Sequence, residues 1–324
     1  MNHLELAFTG KNAFWRYFIL IVAAFAGANT IGSIPLLIPS IKTILQNPGV
    51  AEKLAEDPMN ISLLISDPLY GLFSMLFPFL IGLVTFAILF KPINERSFIS
   101  SITGSPSIRW SHFLTGFCVW AVLSSLYLLV YYKIEPSNFI VNNTSISLLW
   151  VILISVSLIP FQAAFEEVIF RGYLMQGFAT VISYRWFPLI MTSVLFGLMH
   201  SMNPEVAEYG FFTMMPQYIV FGMVFGIATL LDDGIEVSLG AHAANNIFLV
   251  IMVTQRSSAL QSPALFEQQA VYPWTEFAGL VVSGILFLII MKIILKWRRL
   301  SIIMSSVDRL KYRKADPASK DQIS

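Results

Sequence analysis

Residues 163–174 read "AAFEEVIFRGYL". Two adjacent carboxylates and a guanidinium stand inside an otherwise apolar run. The run leading into them, 146–165, is continuous rather than alternating. Its length, about 20 residues, is that of a transmembrane helix. An ionised side chain in such a helix costs about 2.5–3.5 kcal/mol on insertion scales, so it faces the protein interior and marks function by default. Whether Glu166, Glu167 and Arg171 belong to a span therefore decides both the fold and the search for a site.

The rest of the chain argues for a membrane. Of its 324 residues 56% are hydrophobic and 12% are charged, and a soluble domain carries about 25% charged residues. Structure in lipid is helical or a closed barrel, and the uninterrupted apolar runs read as helices. The expected fold is an all-α, polytopic transmembrane helix bundle of eight spans: 17–38, 69–90, 113–132, 146–165, 186–200, 216–231, 235–253 and 277–295, the fourth continuing through Arg171. Lysine and arginine gather on one side, at Lys11, Arg16, Lys91, Arg96, Arg109, Arg171, Arg185 and the stretch after residue 291. That asymmetry puts both termini in the cytoplasm.

Segment 92–109 reads as cytoplasmic and lying on the membrane surface, and the basic tail after Arg299 as an anchor near anionic lipid. The net charge of +1 gives no footprint for nucleic acid. Cys118 reads as a small packed residue. Three regions are expected: 1–140 with three spans, 141–255 as a core with four, and 256–324 with the last span and the tail.

Polar groups inside spans point to hydrolysis. Glu167 and Arg171 stand at i and i+4 with the acid first, the favourable order for an ion pair. Glu166 lies about 100° round the helix and faces elsewhere, free to take a proton from water and return it to a leaving amine. His200 follows Phe196 by one turn, so that ring can orient the imidazole. His242 and Asn246 share one face of the seventh span. His3 and His112 read as incidental. The set can activate a water and stabilise an oxyanion, or hold a metal, since His and Glu are zinc ligands. No HExxH helix is present. A proton-coupled transporter or a non-catalytic scaffold could use the same groups, although no two-half symmetry is visible.

"EEVIFR", "FGLMH" and "HAANN" fit the ordered motifs EExxxR, FxxxH and HxxxN. Over 145–255 the chain resembles the CPBP intramembrane proteases, the Abi family, which includes type II CAAX prenyl endopeptidases and bacteriocin-processing or immunity proteins. The resemblance implies eight helices around an intramembrane catalytic cavity open to the cytoplasm, in a bacterial inner membrane. It implies endopeptidase action on a membrane protein or peptide. Glu166 would activate the water with help from His200, and His242 and Asn246 would hold the oxyanion. Glu167 and Arg171 would order them. Zinc, if bound, would take Glu166, His200 and His242; a metal-free, glutamate-activated water explains the residues equally well.

One point strains this reading. Glu166 sits at the cytoplasmic end of the fourth expected span, while His200 stands about 21 Å along the fifth from the same side.

Overall fold

The apolar runs fold as helices. The computed structural model describes residues 3–56, 61–142, 145–297 and 300–308. Its first five α-helices are α1 Phe14–Gly27, α2 Ile34–Gln46, α3 Gly49–Glu56, α4 Pro68–Asn94 and α5 Trp110–Ile134. Then come α6 Ser145–Glu167, α7 Met175–Val181, α8 Trp186–Met199 and α9 Pro204–Tyr209. The last three are α10 Phe211–Asp232, α11 Glu236–Met252 and α12 Pro273–Ile294.

Among the described residues, six helices are long and apolar enough to cross a membrane, and α8 is a shorter apolar helix. The eight expected spans are thus all helical, six at full length and two, α8 and α11, at 14 and 17 residues. The long helices are apolar around their circumference. Phe18, Val22, Ile88, Val122, Leu126 and Ile289 face outward uncovered, as side chains do when the surrounding solvent is lipid. Three short strands, β1 Phe139–Val141, β2 Val253–Thr254 and β3 Phe266–Gln268, tie loops together in the order β1-β3-β2. In this sheet β1 runs antiparallel and β2 parallel to β3.

The depth problem is resolved by helix length. A π-helical turn, Val168–Leu174, joins α6 to α7, so the fourth span runs on from Leu148 to Val181 as 34 residues. Glu166 stands in the body of this helix, about 22 Å from its Val181 end at about 1.5 Å per residue. His200 follows the last residue of α8, at a matching depth of about 21 Å from Trp186.

Close helix contacts fix α11, which carries His242 and Asn246. It packs mainly on α5 and α6. A Cβ on Gly240 would lie 2.0 Å from the Phe113 carbonyl oxygen, and one on Gly116 would lie 2.4 Å from that of Val237. Only glycine allows this approach, the small-residue packing that membrane helices use in place of a hydrophobic drive. Gly240→Ala is expected to destabilise the protein by about 1–3 kcal/mol through overpacking, read as a lower unfolding temperature in detergent.

Several sequence expectations are corrected. Segment 92–109 is anchored to the bundle at its middle: Ser101, Ile102 and Thr103 are buried, and the Ile235 amide donates to the Ile102 carbonyl at 2.8 Å. His112 and His3 are not incidental. His112 Nδ1 meets the Asp232 carboxylate at 2.9 Å, beside Arg109, which also pairs with Glu236 at 2.6 Å. His3 is buried, with its main-chain amide on Asp233 at 2.6 Å and its ring Nε2 at 3.1 Å from the Ser101 carbonyl. Burial lowers the His3 pKa from its ordinary value, against the nearby Asp233 charge. Cys118 is exposed rather than packed. Most of the basic tail lies outside the described residues.

Candidate active site

Glu166 and Glu167 are the last residues of α6, directly before the π-turn. Such turns are rare and occur often at functional sites. Glu167 and Arg171 are fully buried and joined at 2.6 Å. Arg171 also lies over the Phe196 ring at 4.2 Å, a cation–π contact. Glu167 Oε1 accepts a second hydrogen bond, from His242 Nδ1 at 2.8 Å. A carboxylate that accepts at Nδ1 fixes the tautomer and leaves Nε2 turned to the other side.

That other side holds Glu166. His242 Nε2 stands 3.6 Å from Glu166 Oε2, too long for a hydrogen bond. Here the expectation that the two glutamates face apart is corrected. They are separated round the helix, yet one imidazole is wide enough to touch both with its two nitrogens. Glu166 Oε2 is buried with no hydrogen-bond partner. A buried acceptor left unmade is costly, and this one faces His242 Nε2.

His200 joins from the end of α8. Its Nδ1 lies 2.7 Å from the Phe196 carbonyl oxygen. A carbonyl only accepts, so Nδ1 carries the hydrogen and Nε2 has a free lone pair. The ring lies between two aromatic faces, Phe196 at 4.6 Å and Tyr218 at 4.4 Å, the latter stacked. The His242 ring lies 6.0 Å from the same Phe196, so this phenylalanine touches both imidazoles and the guanidinium. Asn246 donates from Nδ2 to Gln162 Oε1 at 2.9 Å, and Gln162 Nε2 donates to Glu166 Oε1 at 2.5 Å.

The structure therefore brings Glu166, Glu167, Arg171, His242, Phe196 and His200 together, with Asn246 linked through Gln162. Sequence reading missed Gln162, although its place one turn before Glu166 was a usable signal. It also missed Tyr218 and Phe225, the latter stacked on His242 at 5.5 Å. Neither had a signal, because both sit among the aromatics of an ordinary apolar helix. Among the described residues, no three His, Cys, Asp or Glu side chains are grouped closely enough to hold a metal ion.

Comparison with known proteins agrees with the motifs. The family described as Type II CAAX prenyl endopeptidase Rce1-like matches residues 145–248, the stretch that holds all these motif residues. The uncharacterized protein YyaK of Bacillus subtilis (strain 168) is 30% identical over 288 residues, covering 87% of this chain and 93% of that protein. No solved structure matches the chain. The chain is thus an integral membrane protein that belongs to the type II CAAX prenyl endopeptidase Rce1-like family.

Proposed function

We propose that the protein is an intramembrane endopeptidase that cuts a membrane-associated protein or peptide with a water activated by Glu166. One observation carries this reading: a buried, unpartnered carboxylate oxygen on Glu166 beside the free nitrogen of a histidine whose other nitrogen is held by Glu167. Glu166 Oε2 takes a proton from water as the oxygen attacks the scissile carbonyl carbon. The resulting oxyanion is held by N–H donors: Asn246, and Nε2 of His242 when that nitrogen carries a proton. Glu166 then returns its proton to the leaving amine as the C–N bond breaks. His200 offers its Nε2 to the attacking water. Glu167 and Arg171 act through His242 by fixing its orientation.

The charge asymmetry supports cytoplasmic termini, and the Bacillus subtilis relative supports a bacterial membrane. The substrate is a membrane protein or peptide lying in the bilayer, not nucleic acid. Because the steps use no metal, cleavage is expected to survive dialysis against a chelator, with substoichiometric metal found by mass spectrometry. Stoichiometric metal with chelator-sensitive cleavage would replace this route by the zinc one.

Reconstitution tests the reading against its main rival. In liposomes given a membrane extract of the host, the wild type is expected to release peptides that the Glu166→Gln variant does not. Neither should carry a proton flux. A flux that vanishes in Glu166→Gln, with no peptide formed, would make the protein a proton pathway instead.

A further inference from the structure

A chain of side-chain hydrogen bonds runs from α5 through α11 to α6 and ends on Glu166. Trp120 Nε1 donates to Asn245 Oδ1 at 3.1 Å, and Asn245 Nδ2 donates to Asn246 Oδ1 at 2.9 Å. Asn246 Nδ2 then donates to Gln162 Oε1 at 2.9 Å, and Gln162 Nε2 to Glu166 Oε1 at 2.5 Å. Indole nitrogen can only donate. With a pure donor at one end, each amide has one permitted orientation, so the last donor must point at Glu166. An ionised carboxylate can only accept, and the two ends match. Trp120 and Gln162 are both buried, so water does not compete freely for these bonds.

We infer that Gln162 is a positioning residue for the reaction: it holds Glu166 Oε1 and so keeps Oε2 turned towards His242. Rotating the carboxyl away from this orientation would break the bond to Gln162 and the chain back to Trp120. Oε2 has no such donor. The same amide ties Glu166 to Asn246, so the proton acceptor and the oxyanion donor share one clamp. The inference rests on the proposed role of Glu166. The other groups around that carboxylate are His242 from α11, Glu167 and Arg171 on its own helix, Tyr218 from α10 and, beyond Tyr218, His200 from α8.

Gln162→Met tests this, because it keeps length and apolar packing but removes the donor. The direct readout is the infrared carboxyl band of Glu166, assigned by difference from Glu166→Gln in the purified, detergent-solubilised protein. Loss of the donor is expected to shift this band to the frequency of a carboxyl oxygen that accepts no hydrogen bond. The unfolding temperature should stay near that of the wild type. With a dye-quenched peptide that carries a membrane-spanning segment as probe, kcat should fall about tenfold with KM unchanged.

An unmoved band overturns the inference, whatever the enzyme does to that peptide. A lowered unfolding temperature with an unmoved band assigns Gln162 to packing alone. A shifted band in a protein whose Glu166→Gln variant still cleaves substrate would keep the clamp and remove the proposed function, so the two failures are distinguishable.

Discussion

Glu166→Gln is expected to lower kcat/KM by about 10²–10⁴, the usual contribution of a positioned acid or base. The substitution keeps the size and shape of the side chain. Its carbonyl oxygen can still accept from Gln162, so the clamp and the fold persist. What disappears is the carboxylate beside His242 Nε2 proposed to take a proton from water and give it back. The unfolding temperature should therefore stay level, because the packing and the bond from Gln162 are both retained. Loss of activity with retained stability separates chemistry from folding. A variant that cleaves at the wild-type rate would move the proton acceptor elsewhere, and His200 would be the next candidate.

The largest expected effect on stability is at Arg171. Arg171→Met leaves Glu167 fully buried without its guanidinium partner. Removing one member of a buried ion pair costs about 3–5 kcal/mol, because the remaining charge is uncompensated. The neighbours make this harder to absorb: Arg171 also rests on Phe196, which touches both imidazoles. Activity should fall with stability, since Glu167 is what orients His242. The double variant Glu167→Gln with Arg171→Met removes both charges and should recover much of the lost unfolding temperature, because two neutral groups of similar volume need no partner charge. Thermal unfolding of the two variants side by side checks this. If the single variant is as stable as the wild type, the pair does not hold the site together.

The fold was legible where composition dominates. Apolar runs of span length identify helices whatever packs against them, and the i, i+4 spacing of Glu167 and Arg171 is a local relation that survives folding. What failed depended on distant chain. The Asp232 partner of His112 is 120 residues away, and Ser101 is 98 residues from His3, so both histidines looked solitary. The continuation of the fourth span into α7 was hidden because a π-turn leaves no pattern of its own in an apolar stretch. For the same reason Glu166 was placed at a helix end rather than in its body. The convergence of both glutamates on His242 is a tertiary fact: it needs α11 pressed against α6, with Gly240 holding α11 close to α5 on its other side. Gln162 was overlooked because an amide draws less attention than a charge, although its spacing from Glu166 was visible.

The most direct test of the account is a comparison of protein termini. Wild type and Glu166→Ala are expressed at equal levels in the host, both verified as folded, and new peptide termini are catalogued across the membrane proteome. The account predicts termini present with the wild type and absent with Glu166→Ala, on proteins or peptides that reside in the membrane. Identical termini in both strains would contradict it and leave the buried carboxylate to serve a scaffold or a proton path.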